Sequence, residues 1–389
     1  MRKILLLAVA LVGVLGVAVV VFTASGPIGP PAPPPPPPPP VAALTYAPAL
    51  DGTDASPTST ATVEVRDGRL DEVTLTDADG KAVPGDFNAE RTSWSSTERL
   101  DYAGRYTWGG KATGTDGQQV PLAGTFGTVT PKKTVRGTLN IGDDRTVGVA
   151  APIRIQFNGH VSDRAAVERA LSVTTSVPVT GAWGWLPDEG GGSRVDYRTK
   201  DYWPANTTVT IQANLFGVAY GDGAYGAQDI SSTFNIGRSQ IVKADVNSFR
   251  MVVMRDGKKV GDYPASYGLG SDPERNTRSG VHVVSEKFTD KRMVSERYDY
   301  DLVEKWAVRI SNNGEFIRAN PDSTAAQGSS NVTHGCVNLA TDDAKSYYDT
   351  ALYGDPVEVT GTPVKLSARD GDIWDWTLSW DQWTGLSAL

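Results

Sequence analysis

The 389-residue sequence holds one cysteine, Cys336, and three histidines, His160, His282 and His334. A single thiol excludes an internal disulfide framework, and without a Cys-x-x-Cys pair or clustered histidines no zinc-ligand spacing exists. Neither a metal nor another cofactor is expected. No basic run lies in the body of the chain and the net charge is −8, which excludes nucleic acid as a partner. Helix-rich composition is also lacking. Gly, Thr, Val, Trp and Tyr are plentiful instead, so the fold should be mainly β.

Met1-Arg2-Lys3 is basic, and Ile4 to Phe22 follows without a charge. That length is close to the ~20 residues a helix needs to cross a bilayer. The basic end should stay in the cytoplasm, which puts everything after Phe22 outside. Thr23-Ala24-Ser25 fits a cleavage site, so residues 1–25 are either a membrane anchor helix or a removed signal peptide. Both readings place the body in the cell envelope, anchored or secreted. An exposed unpaired thiol there is a liability unless it is used. Cys336 is therefore a candidate nucleophile, against the plainer reading of a small buried apolar residue.

Residues 26–42 form a proline tract, unbroken from Pro33 to Pro40, which reads as a stiff polyproline spacer of roughly 25 Å. In residues 43–130 short alternating runs such as Ala61 to Val65 and Leu70 to Leu75 alternate with Asp-Gly turns at 67–68 and 79–80, the pattern of a small immunoglobulin-like sandwich. Residues 131–238 repeat the style, with Ile153 to Phe157, Val209 to Ala213 and Thr233 to Ile236 alternating and a short helix over Asp163 to Leu171. Gly221 to Gly226 fits a dinucleotide fingerprint formally, but no βαβ unit surrounds it, so it reads as a glycine-rich loop. Residues 239–362 form a third unit, and residues 363–389 a tail carrying Trp374, Trp376, Trp380 and Trp383.

The third unit holds the chemistry. If Asn331 to Leu339 is extended, His334 and Cys336 lie two apart on one face, and Gly335 leaves the backbone between them uncovered. A thiol acts as its thiolate, which needs a cationic or basic neighbour. Thr333-His334-Gly335-Cys336-Val337-Asn338 resembles the signature of L,D-transpeptidases, the YkuD-like cysteine enzymes that cross-link peptidoglycan. Their motif reads Ser/Thr-His-Gly-Cys, one residue, then Asn or Arg. Gly314 to Pro321 and Ala326-Gln327-Gly328 also resemble the family's stretch, with one departure. Where the family carries its general-base histidine this chain has Arg318, with 14 residues between it and Thr333.

The resemblance implies two immunoglobulin-like sandwiches ahead of a YkuD-like catalytic domain, with the tail docked on the neighbouring sandwich. It implies Cys336 as nucleophile, backbone N–H groups near Gly335 and Cys336 as an oxyanion hole, and a lid over Met293 to Trp306 whose Tyr300 lies near the thiol. Tyr300 also fits an ordinary strand aromatic, and His282 reads as a structural residue. Catalytic candidates are Cys336, His334 and Gly335; substrate-binding candidates are Tyr300, Asn338, Arg318 and Thr333. Partners implied are the donor tetrapeptide stem, an acceptor amine on a second stem and acylating β-lactams of the carbapenem type, with the membrane met only through the N-terminal helix. Arg318 stays protonated and cannot move protons, which leaves two other readings: an impaired member that binds the wall, and an L,D-carboxypeptidase.

Overall fold

The computed structural model describes residues 39, 41–368 and 373–389. The anchor segment and nearly all of the proline tract lie outside the described residues. Among those described, no helix is long and apolar enough to cross a membrane.

Three hydrophobic cores follow one another along the chain. In the first, strands Ala43–Ala47, Thr62–Arg66, Ser93–Ser96 and Gly85–Phe87 form one sheet, and Gly68–Thr76, Arg105–Gly114, Gln119–Pro121 and Gly124–Gly127 form the other. Val63 and Val65 point inward while Glu64 points out, because successive side chains of a strand alternate. Trp94 and Trp108 meet edge to face at 5.6 Å in that core. In the second, Ile153–Phe157 and Gly192–Thr199 face Thr208–Ala213 and Ile230–Ile236 across another two-sheet sandwich. The glycine-rich stretch is not a loop. Ala219–Gly221 and Ala224–Gly226 pair as a hairpin whose turn residues Asp222 and Gly223 have φ of +54° and +76°, the left-handed pair that tight hairpins favour.

Gly192–Thr199 is buried along its whole length, although its Arg194, Asp196 and Arg198 alternate as a solvent-facing edge would. The tail covers them. Trp376 Nε1 donates to Ala150 O and Trp383 Nε1 to Ala182 O, each at 2.9 Å. Arg198 lies over the rings of Trp376, Trp380 and Trp383 at 4.7, 5.6 and 5.1 Å, and cation–π contacts gain strength when desolvated.

In the third core one sheet runs Lys258–Pro264, Arg250–Arg255, Gln240–Asp245, Pro356–Thr360, Gly280–Val283. The strand holding Val357 to Val359 therefore sits inside the sheet. The other sheet runs Glu286–Ser295, Tyr300–Arg309, Phe316–Ala319, Val337–Leu339. Helix Thr341–Thr350 covers it with Ala344 and Tyr347. Ala340, without a side-chain cap bond, is the N-cap; Thr341 is already helical, contrary to the capping role its hydroxyl suggests. Backbone bonds Gly148 N–H to Tyr353 O at 2.7 Å and Ala150 N–H to Gly354 O at 2.8 Å join the second core to the third.

Under the tail, Arg194 grips Asp196 through Nε at 3.0 Å and Nη2 at 2.7 Å, while among the described residues neither carboxylate oxygen of Asp375 has a hydrogen-bond partner. Burial first, then the charge of Asp196, push the Asp375 carboxyl up to about 7, against the pull of Arg194 and Arg154. The folded protein thus holds this proton more tightly than the unfolded chain, so the group's contribution to stability falls as pH rises from about 4 to about 7 and is flat above. Asp375→Asn is expected to flatten the pH dependence of thermal unfolding over that window and to be at least as stable as the parent at pH 8. Parallel melting-temperature profiles for the two proteins would refute this.

Candidate active site

The loop before Val337–Leu339 is built on one hydroxyl. Thr333 Oγ1 donates to Cys336 O at 2.7 Å and accepts from Gly335 N–H at 3.1 Å. Thr277 Oγ1 fixes the same turn from below, donating to Gly335 O at 2.9 Å and accepting from Gly268 N–H at 2.9 Å. Gly335 has φ of +113°, a conformation that side chains disfavour.

The turn overrides the expected extended segment. Regular strand begins only at Val337, so His334 and Cys336 do not share a face. Cys336 is buried, 7% exposed, and His334 is exposed. The ring of His334 stacks on Tyr298 at 4.2 Å and Tyr300 at 5.6 Å. Among the described hydrogen bonds none joins it to Cys336. Its pKa is lowered by burial first and then by the charges of Arg275 and Arg318, which leaves the imidazole neutral at neutral pH. Arg275 is itself held by the motif, donating to Thr333 O at 3.1 Å and Val332 O at 2.6 Å.

Cys336 packs with Met293, Ala307 and Phe316, against Phe288, Tyr300 and Leu302. The long hairpin Glu286–Ser295 and Tyr300–Arg309 thus roofs the sulfur, where the sequence placed a lid. Cys336 Sγ contacts Gly314 O at 3.5 Å. Tyr300 stands close enough that the charge of Cys336, after burial, raises its pKa, with Arg318 opposing.

Arg318 reaches the same place. The parallel register sets Ile317 beside Val337 and Arg318 beside Asn338, which puts Phe316, Arg318, Cys336 and Asn338 on one face. Burial works against the Arg318 charge, but Cys336 and Glu304 outweigh it and hold the guanidinium above its ordinary value. Arg318 Nη1 is ion-paired with Glu304 Oε1. The two residues are 9% and 8% exposed. Asn320 Nδ2 donates to the same Oε1 at 3.1 Å. Glu304 is the functional neighbour that sequence reading missed; the available signal was its position in phase with Tyr300 and Leu302, which face the thiol.

Asn338 donates through Nδ2 to Ser323 Oγ at 3.2 Å and its Oδ1 has no partner. His282 is fully buried, with Nε2 2.7 Å from Arg278 O and Nδ1 3.2 Å from Ile310 O, in keeping with a structural residue. Glu315, buried beneath Gly335, accepts from Arg278 N–H at 2.9 Å and Ser311 Oγ at 2.8 Å. Among the described residues no group of His, Cys, Asp and Glu is arranged to hold a metal ion.

Two family descriptions match the chain: a bacterial Ig domain over residues 52–219 and an L,D-transpeptidase catalytic domain over residues 239–359. Over 347 residues the chain is 52% identical to L,D-transpeptidase 5 of Mycobacterium tuberculosis (strain ATCC 25618 / H37Rv), covering 89% of this chain and 77% of the relative. It is 34% identical over 330 residues to L,D-transpeptidase 2 of Mycobacterium tuberculosis (strain CDC 1551 / Oshkosh), covering 82% and 79%. A solved L,D-transpeptidase in complex with imipenem superposes with a TM-score of 0.49 at 29% identity, over 57% of this chain and 97% of that one.

Because one hydroxyl satisfies both ends of the motif turn, Thr333→Val leaves a buried N–H and a buried carbonyl unpaired. The expected loss is about 1–3 kcal/mol, read as a lower denaturation midpoint, with Thr333→Ser retaining most of the stability.

Proposed function

The chain belongs to the L,D-transpeptidase family, and from that premise we propose that it joins peptidoglycan stems in 3→3 cross-links through a thioester on Cys336. The observation that carries this is the sulfur roofed by the long hairpin and electrostatically coupled to Arg318 and Tyr300. The sulfur attacks the carbonyl of the third residue of a donor tetrapeptide. The bond to the terminal D-alanine breaks and that amine takes up a proton. An acceptor amine then attacks the thioester, the carbon–sulfur bond breaks, and the amine gives up a proton. The Gly335 N–H is taken by Thr333 Oγ1, so of the two backbone donors implied for the oxyanion hole the Cys336 N–H, with Tyr300, would stabilise the oxyanion between these steps.

Proton movement is the weak point. A guanidinium neither accepts a proton nor readily gives one, and His334 rests on Tyr298 and Tyr300. Stem-peptide turnover is therefore slow in this reading, while the thiol remains available to electrophiles that need less help with a leaving group. Strained β-lactams of the carbapenem type are such electrophiles, and a relative has been solved with imipenem. The reading also keeps the protein in the cell envelope, where the wall is.

Arg318→His is expected to raise stem-peptide cross-linking by about 10²-fold or more, the usual scale of general acid–base assistance. Imipenem acylation of Cys336, followed as a mass increment on the intact protein, should change only a few-fold. Unchanged peptide turnover would show that Arg318 is not limiting. Trimmed tetrapeptides without cross-links, with an acceptor amine present, would mark a carboxypeptidase. Absence of both products would leave a wall-binding module.

A further inference from the structure

We infer that Glu304 is a positioning residue of this site: through Arg318 it acts as a brake on ionisation of the Cys336 sulfur. The inference rests on Cys336 being the nucleophile, and it concerns a side chain outside the signature motif.

A guanidinium that is 9% exposed needs a counter-charge, because an unpaired buried charge is strongly destabilising. Glu304 supplies it. On its strand Glu304 follows Tyr300 and Leu302 at alternate positions, and those two pack against the Cys336 cluster. Its carboxylate therefore comes down on the inner side of the hairpin, pairs with Arg318 Nη1 and is steadied by the Asn320 amide. The pair is neutral before the sulfur loses its proton. Ionising Cys336 then adds a negative charge to an enclosure whose other walls are Met293, Ala307, Phe316 and Leu302, and one cation must serve two anions.

Arg318 meets both: Nη1 pairs with Glu304, and Cys336, on the same face of the sheet, acts on the guanidinium through its charge and a side-chain hydrogen bond. Its charge is nonetheless divided. Of the other charged or titratable groups, Tyr300 and Arg318 act on the thiol site. His334 is neutral at neutral pH and exposed. Lys305 and Asp322 line a cavity of about 260 Å³ on which Glu304 also opens, and Lys305 is paired with Asp290 at 3.0 Å. Glu315, buried beneath Gly335, is held by Arg278 N–H and Ser311 Oγ, so among the described residues Glu304 is the anion paired with the cation that the thiolate would use.

The test uses the only cysteine in the chain, so alkylation reports Cys336 without competition. Rates of iodoacetamide labelling of the full-length chain are followed against pH for the parent, Glu304→Gln and Glu304→Asp. Glu304→Gln keeps an oxygen for Arg318 and removes the charge. Its half-maximal rate is expected about one pH unit lower, giving roughly tenfold faster labelling on the acid side of the transition, while Glu304→Asp follows the parent. A Glu304→Gln profile that superposes on the parent's, or moves to higher pH, overturns the inference. Should that variant fail to fold, Glu304→Met carries the same expectation and the same refutation. No stem peptide enters the assay, so its outcome stands apart from whether the protein forms cross-links.

Discussion

A single threonine hydroxyl decides the layout of the reactive loop. By donating to the Cys336 carbonyl and accepting from the Gly335 N–H, Thr333 closes a tight turn that only a glycine enters without strain. The turn sends the imidazole of His334 outward onto two tyrosines and the sulfur inward under the hairpin. Adjacent motif residues thus acquire opposite environments. Everything that surrounds the sulfur then comes from other strands: Arg318 from the parallel neighbour, Tyr300, Leu302 and Glu304 from the hairpin.

Much of this was legible in the sequence because local patterns carried it. Alternation in Thr62–Arg66 and Ile153–Phe157 marked sandwich strands, and the core took up the apolar half in each case. The lone thiol beside a glycine marked the loop whose turn Thr333 closes. What could not be read was set by contacts distant along the chain. The alternating Arg194, Asp196 and Arg198 look like a wet edge until the tryptophans of the tail, some 180 residues later, cover them. Glu304 looks like one of several charges on an exposed hairpin, and only the packing of Tyr300 and Leu302 beside it reveals which way it faces. The pairing of His334 with Cys336 failed for a simpler reason. Period-two reasoning holds inside a strand, and a left-handed glycine between the two residues ends the strand there.

A guanidinium at position 318, where the resemblance implies an imidazole, bears on more than proton transfer. An imidazole can be buried neutral, whereas a guanidinium brings its charge with it. A buried cation calls for an acid nearby, and the acid present is Glu304. The arginine at 318 and the carboxylate at 304 are therefore one electrostatic unit beside the thiol. An arginine near a cysteine lowers the cost of the thiolate when its charge is free; here that charge is shared with Glu304.

The same competition occurs at a second place in the molecule and shows how it resolves. Beneath the tail, Arg194 and Arg154 stand near two carboxylates. Arg194 binds Asp196 with both arms of its fork, and Asp375 is left without a hydrogen bond, its carboxyl pushed up to about 7. Where one acid takes the well-placed donors in a dry enclosure, the other holds its proton more tightly. At the thiol site the competition is for Arg318, whose guanidinium is paired with the Glu304 carboxylate on the face that Cys336 also occupies, so a negative charge arriving there has to share a cation that already has a partner.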